Sequence, residues 1–300
     1  MKIDNLSDIT IEQLLEAQNS INPENVTIAG TEYGREEFTY TISEVIQIKK
    51  AIQELIDSIP QSIKENKKEA FAYAYVLLGF MLEDNKYHEE LFFVSGYYLD
   101  RAEDAGVIFD MTSSNDLTGI LTKSTLWHGK NLILEEVAKG LGLEAKTIYG
   151  GACFFDRSKP FWSWLQVKID GIWYNCDLQR DQPFLKSGVK LPHFLKSDAD
   201  YKKMYNSRYK KPETCTVSVS AEEQERLITP IREKIVKERE EREKALEEER
   251  IRRRAEEREA EVDNELQNKL KRFPSFLRPY IEEKLRRKIK EKHIKRHGAW

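Results

Sequence analysis

The chain has 300 residues, of which 40% are hydrophobic and 34% charged, with a formal net charge of −3. This composition excludes a chain that is disordered overall and leaves room for one good-sized core with an appendage, or two modest domains. Met1-Lys2-Ile3-Asp4-Asn5-Leu6 offers no apolar leader, and no run approaches the roughly 18 apolar residues of a membrane span, so a cytoplasmic protein without a membrane span is expected.

Thr10 caps a short helix over 10–20, where Ile11, Leu14, Leu15 and Ala17 recur at helical spacing before Asn22-Pro23 breaks the pattern. Glu37-Phe38-Thr39-Tyr40-Thr41-Ile42 alternates like a short strand. Ser43 is read as the cap of a stronger helix, with Val45, Ile46, Ile48, Ala51, Ile52, Leu55 and Ile56 on one face and its end before Pro60. From Lys67 to Met81 the chain is helix-prone and strongly apolar, which predicts a helix buried in the core. Leu91 to Leu99 fits helix or strand equally, because short apolar runs are ambiguous. Leu126 to Leu141 repeats Leu132, Ile133, Val137 and Leu141 at helical spacing, and Gly140 and Gly142 suit its end. Ala145 to Tyr149 reads as a strand, and 165–169 with 172–176 as a hairpin across Asp170-Gly171. Helices followed by antiparallel strands give an α+β fold.

The last 80 or so residues change character. Between Arg232 and Glu261, 23 of 30 residues are charged, 11 positive and 12 negative. Pairs such as Glu233/Lys237, Glu238/Arg242 and Glu249/Arg253 place the acid four residues before the base, the favourable order on a helix. Pro230 is expected to open this helix, since its missing N–H would be unpaired there anyway. Ala255, Val262, Leu266, Leu270 and Phe273 form only a weak apolar seam, so a solvated shaft, a coiled coil or partner helix, and a disordered segment are all consistent with the pattern. Phe273-Pro274 ends the shaft and Pro279 starts a short basic helix. From Lys269 to Trp300 there are 12 Lys and Arg against 3 Glu, a local charge of +9. The expected organisation is an N-terminal helical or irregular segment (1–44), a core (45–220), a long charged helix (221–272) and a basic helical tail (273–300).

Trp162-Ser163-Trp164-Leu165-Gln166-Val167-Lys168-Ile169-Asp170-Gly171-Ile172-Trp173-Tyr174-Asn175-Cys176-Asp177 resembles the catalytic strand pair of the transglutaminase-like superfamily of papain-like cysteine enzymes. There the hairpin reads His-x-Trp, a hydrophobic strand, an Asp-Gly turn, Trp-Tyr and Asp. Upstream, Trp127-His128-Gly129-Lys130, Leu132-Ile133 and Gly140-Leu141-Gly142-Leu143 are similar to the family's nucleophile helix. Leu141-Gly142-Leu143 sets the register, and Gly129 matches the family's glycine. The resemblance covers roughly residues 45–215 and implies a transglutaminase-core, papain-like fold with helices packed on an antiparallel sheet. It also implies a degenerate triad: Trp127 stands at the cysteine position, Trp162 at the histidine position, and Asp177 keeps the acid. An indole has one N–H donor and no usable basic nitrogen, so neither tryptophan can serve as nucleophile or proton relay.

The function expected is therefore a catalytically inactive domain that binds or scaffolds proteins. Trp127, His128, Phe154, Phe155, Trp162 and Trp164 are the candidates for an aromatic groove, against the plainer reading that such residues fill a vacated cleft. Asp177 has the plain reading of an acid that hydrogen-bonds its neighbours. Residues 221–300 are the expected protein contact. Two alternatives stand beside this: a cysteine-dependent amide hydrolase or acyltransferase with Cys153 as displaced nucleophile, and a nucleic-acid or anionic-surface binder acting through the basic tail. No cofactor and no metal are expected, because the sequence has no glycine-rich phosphate loop and no metal-ligand spacing. Cys153, Cys176 and Cys215 form no CxxC pair.

Overall fold

The computed structural model describes residues 1–3, 5–19, 25–28, 38–82, 116–123, 125, 127–150, 162–201 and 213–297, without the side chains of Phe38, Trp127, His128, Tyr149, Trp162, Arg296 and His297. The ambiguous run 91–99 and the aromatic loop with Cys153, Phe154, Phe155 and Phe161 lie outside the described residues. The chain forms two compact units, Met1–Glu233 and Lys234–Trp300.

In the first unit, β1 (Lys2–Ile3) runs parallel to β2 (Val26–Ile28), which pairs antiparallel with β3 (Phe38–Tyr40). Between them α1 (Ile11–Gln18) starts at Thr10, whose hydroxyl accepts from Gln13 N while Gln13 Oε1 accepts from Thr10 N, a reciprocal cap. Helix α2 (Ile42–Ser58) begins one residue before the expected cap: Thr41 Oγ1 accepts from Glu44 N at 3.2 Å, and Glu44 Oε2 accepts from Thr41 N at 2.8 Å. Ser43 cannot build this box, because three residues on it meets Ile46 rather than an acid. After the short α3 (Gln61–Lys64) comes α4 (Lys67–Met81), buried on every side from Ala70 to Val76, as an all-round apolar helix must be. Phe194 packs on it, 6.3 Å from Phe71 and edge-on to Tyr75 at 4.9 Å between ring centroids.

The short α5 (Gly119–Thr122) precedes α6 (Trp127–Gly140), which leads into a meander of β4 (Glu144–Gly150), β5 (Trp162–Ile169) and β6 (Ile172–Cys176). Thr147 lies opposite Leu165, Gly150 opposite Trp162, and Leu165 opposite Cys176. Asp170 at φ 52° and Gly171 at φ 82° give the β5–β6 turn its two left-handed residues, the primed geometry that matches strand twist. Alternation then sorts the sheet. Leu165, Val167 and Ile169 are fully buried, on the parity that faces α6, and Trp164 and Gln166 take the opposite parity. Next follow α7 (Leu178–Ser187) and α8 (Asp198–Tyr201). Asn175 and Lys196 exchange backbone bonds at 2.8 Å, so the loop after α7 extends the edge of β6.

Helix α9 runs from Ala221 to Leu270. Ser220 caps it, accepting Glu223 N at 3.1 Å on its hydroxyl and Gln224 N at 2.9 Å on its carbonyl. Pro230 is thus interior rather than first. The helix starts earlier because its first turns are anchored: Gln224 bonds both the N–H and the carbonyl of Leu191, and Leu227 and Ile228 are buried. That anchoring offsets the roughly 3 kcal/mol that an interior proline costs.

The second unit contains the rest of α9, the turn through Ser275–Leu277 and α10 (Arg278–His297). Val262, Leu266 and Leu270 of α9 bury against Ile289, with Ile281 and Leu285 beside them. The sparse seam in the sequence is one half of a helical hairpin, and the basic helix is its other half. Arg286 reaches Glu259 at 3.0 Å and Asp263 at 2.7 Å; Lys290 reaches Glu259 at 2.9 Å; Lys292 and His293 reach Glu265 at 3.1 and 3.2 Å. From residue 237 to 254 the shaft is exposed, and Lys234–Glu238, Lys237–Glu241, Arg252–Glu256 and Arg253–Glu257 pair with the base first, the reverse of the order read from the sequence. Among the described residues no helix is long and apolar enough to cross a membrane.

Candidate functional site

The sheet end where α6 begins holds the backbone positions of Trp127, Trp162 and Asp177. Gly129 lets the helix start there: a Cβ on it would lie 1.9 Å from Thr125 Oγ1 and 2.9 Å from the carbonyl oxygen of Asp116. One turn in, Asn131 Nδ2 donates to Ser163 O at 2.9 Å, and Glu135 Oε2 accepts from Thr147 N at 2.7 Å a turn later. Lys130, fully buried, donates to Gln182 Oε1, and Gln182 Nε2 donates in turn to the carbonyls of Gly79 and Leu82. These bonds tie the first turns of α6 to the start of β5 and to α7. Trp127 is the first residue of α6, Trp162 the first of β5, and Asp177 follows the last of β6. The three backbone positions therefore fall at the same end of the sheet; the side chains of Trp127, His128 and Trp162 lie outside the described set.

Asp177 is fully buried and its carboxylate is employed locally. Oδ1 accepts from Arg180 N at 3.2 Å and so caps α7; Oδ2 accepts from Tyr201 Oη at 3.4 Å and lies 3.7 Å from Arg180 Nε. Tyr201 packs at 5.9 Å on Trp164, which with Ile148 forms a small apolar cluster on the sheet face away from α6. Trp164, 6% exposed, donates from Nε1 to Asn175 Oδ1 at 3.1 Å. Asn175 is the hub of that face: Oδ1 also accepts from Gln166 Nε2 at 3.0 Å, and Nδ2 donates to Asp198 Oδ1 at 3.1 Å. Asp198 N donates to Cys215 O at 2.7 Å, and Asp198 Oδ2 accepts from Cys215 N at 3.1 Å. The network ties β5, β6 and α8 together, although Gln166 Oε1 is buried in it without a hydrogen-bond partner.

A second constellation was not read from the sequence. Asp181, fully buried in α7, accepts His193 N at 3.0 Å and lies 3.0 Å from His193 Nδ1 through Oδ1, and accepts Tyr75 Oη at 2.8 Å through Oδ2. Burial raises the Asp181 carboxyl above the usual range, opposed by the hydrogen bonds and charge of His193, and burial with the neighbouring Asp181 raises the Tyr75 phenol well above its own. A carboxylate beside Nδ1 holds the imidazole in one orientation, a pairing that general bases use. No spacing signal pointed to it, because the three residues come from α4, α7 and the loop after α7.

What this base lacks among the described residues is an activated nucleophile. Cys176 is fully buried on the α6 side of the sheet, opposite in parity to Asp177; its sulfur accepts from Leu195 N at 3.4 Å, and burial pushes its thiol well above the ordinary range. Cys215 is buried at 2% exposure, its sulfur 3.3 Å from Gln166 Nε2. Among the described residues no group of three or more His, Cys, Asp or Glu side chains could hold a metal ion. No protein-family model matches the chain, and no curated protein matches it.

Proposed function

We propose that the chain is a catalytically inactive transglutaminase-like domain, with a papain-like core, that works as a protein-binding or scaffolding module. The observation that carries this reading is the use made of Asp177. The acid that would polarise a catalytic histidine instead caps α7 and binds Tyr201 and Arg180, while positions 127 and 162 carry indoles. With no thiol at the helix start and no imidazole on the strand, the relay has neither nucleophile nor base at its usual places. Trp127 and Trp162 are then scaffold or contact residues, and residues 221–300 supply the protein contact.

The test is reactivity. The full chain should neither hydrolyse nor transfer amide groups on glutamine-containing peptides, and thiol reagents at neutral pH should label no cysteine rapidly. One stoichiometric, fast-reacting cysteine would overturn the reading.

A second reading, a cysteine-dependent amide hydrolase or acyltransferase with Cys153 displaced from the usual nucleophile position, draws support from the His193–Asp181 pair, a base already oriented. It requires that His193→Ala and Cys153→Ser each abolish the same activity. Full activity in Cys153→Ser removes it.

A further inference from the structure

The end of the α9–α10 hairpin differs from the rest of the second unit in both exposure and charge. Every residue from Lys271 to Tyr280 is exposed. Four of them are large and apolar or aromatic: Phe273 is 39% exposed, Phe276 70%, Leu277 40% and Tyr280 84%. Elsewhere in this unit apolar side chains of that size are sparse on the surface, so the cluster is not a by-product of composition. Contiguous exposed apolar residues at a loop tip mark an interaction site.

The charge around them has one sign. Lys269, Lys271, Arg272 and Arg278 are the only charged residues between Glu265 and Glu282. Lys269 pairs with Glu265, whereas among the described residues no carboxylate pairs with Lys271, Arg272 or Arg278. Farther from the tip, Arg286, Lys290 and Lys292 are matched by Glu259, Asp263 and Glu265. Cations that no described carboxylate pairs with thus rim the apolar tip, and others follow along α10 at Lys284, Lys288 and Lys295. The turn is also stiff: Pro274 and Pro279 flank it, and Arg278 Nε donates to Phe273 O at 3.1 Å. A stiff tip meets a surface without first losing much conformational freedom.

We propose that this turn is a docking surface for an anionic lipid bilayer, with Phe276, Leu277 and Tyr280 entering the interfacial layer and Lys271, Arg272 and Arg278 meeting the headgroups. Aromatic and aliphatic side chains ringed by cations are the chemistry that peripheral insertion uses, and exposed cations near such a surface add to it electrostatically. A single-stranded nucleic acid would also be drawn by the charge, but it needs a groove that tracks phosphates and aromatic faces for successive bases. Here the apolar group sits at the end of a two-helix hairpin, and its central pair, Phe276-Leu277, includes an aliphatic side chain that offers no stacking face.

The experiment is co-sedimentation of the full chain with phosphatidylcholine vesicles, with and without phosphatidylserine, in low and high salt. The wild-type chain should sediment with the phosphatidylserine vesicles and less with phosphatidylcholine alone, and salt should weaken it. Phe276→Ser/Tyr280→Ser should cut the affinity roughly tenfold or more, the scale of removing large apolar side chains from an apolar layer. Lys271→Glu/Arg272→Glu should abolish the preference for phosphatidylserine. Unchanged circular dichroism in both variants, expected from side chains this exposed, separates loss of contact from loss of the hairpin. Absence of phosphatidylserine-dependent binding, or binding that survives both double substitutions, overturns the proposal. So does binding to single-stranded polynucleotide, and not to vesicles, that the same substitutions remove.

Discussion

The two units are stabilised in opposite ways. Met1–Glu233 buries apolar side chains all round α4 and on both faces of the β4–β6 sheet, and most of its buried polar side chains hydrogen-bond one another or the backbone. Lys234–Trp300 has a seam of four buried residues, Val262, Leu266, Leu270 and Ile289, and spends the rest of its contacts on ion pairs at partly exposed positions. Apolar burial is not screened by salt and carries no titrating group, whereas exposed pairs weaken with both salt and acid. The first unit should therefore answer to packing changes and the second to solution conditions.

The sharpest way to break that contrast is to make the same deletion in both. Leu165→Ala removes a fully buried side chain from between β4 and β6 and should cost about 2–5 kcal/mol in denaturant unfolding of the first unit. Leu266→Ala, equally buried, should act on the hairpin alone: helical signal falls while the first unit's transition midpoint stays put. A shared midpoint shift would show that the two do not unfold separately.

Overpacking should be nearly as telling in the first unit. Gly129→Ala drives a methyl group into Thr125 and the Asp116 carbonyl, and about 1–3 kcal/mol of destabilisation is expected. Adding Thr125→Ala should recover part of this in a double-mutant cycle, because the closest clash is with the Thr125 hydroxyl. Full additivity of the two losses would mean that Gly129 is needed for something other than room.

Much of the first unit was legible because its signals are local. The apolar periods of α2, α4 and α6 and the Asp170-Gly171 turn each sit within one element, and the structure has them within a residue or two of where the periods place them. Thr41 rather than Ser43 caps α2 because the deciding acid is three residues on, and Pro230 is interior because burial of Leu227 and Ile228 outweighs its missing N–H. The strands β1 and β2 are two and three residues long, too short to show a period. Trp127, Trp162 and Asp177 are named by motif, and the structure adds that their backbone positions fall at one sheet end. His193 was missed because its partner Asp181 and Tyr75 lie on other elements, so only folding brings them together. The hairpin was half-read for the same reason: Val262, Leu266 and Leu270 were visible as a thin seam, but Ile289, which covers it, is far along the chain.

Acid should separate the units next. Lys269, Lys292 and His293 hold the Glu265 carboxyl at about 2, from an ordinary value of 4.5, and Lys290 with Arg286 lowers Glu259. A depressed carboxylate contributes stability above its unfolded value that is lost as pH falls through the folded one. The hairpin should therefore lose helix progressively between pH of about 4.5 and about 2. Asp181 has the opposite sign: raised by burial, it favours the fold below its unfolded value and loses that contribution as pH rises through the folded one. Glu265→Gln should flatten the acid dependence of helical signal, and an unchanged curve would locate the sensitivity elsewhere.

The smallest expected effect concerns the ion pairs themselves. Arg286 stands between Glu259 and Asp263 with each partner more than a third exposed, a geometry in which solvent screens most of the attraction. Arg286→Ala should lower hairpin stability by less than about 1 kcal/mol at low salt, and the difference should shrink toward zero near 1 M salt, where the screening length falls to about 3 Å. The aliphatic stem of Arg286 covers part of the Val262–Ile289 seam's flank only if the loss persists at high salt, since removing apolar cover leaves a deficit that ions do not screen. Arg286→Met separates the two contributions: it keeps an apolar stem and removes the charge, so it should reproduce the salt-dependent part of the Arg286→Ala loss and none of the remainder. A loss in Arg286→Met as large at high salt as at low would mean that charge is not what this residue contributes, and the contrast between a unit held by burial and a unit held by pairing would fail at its most exposed contact.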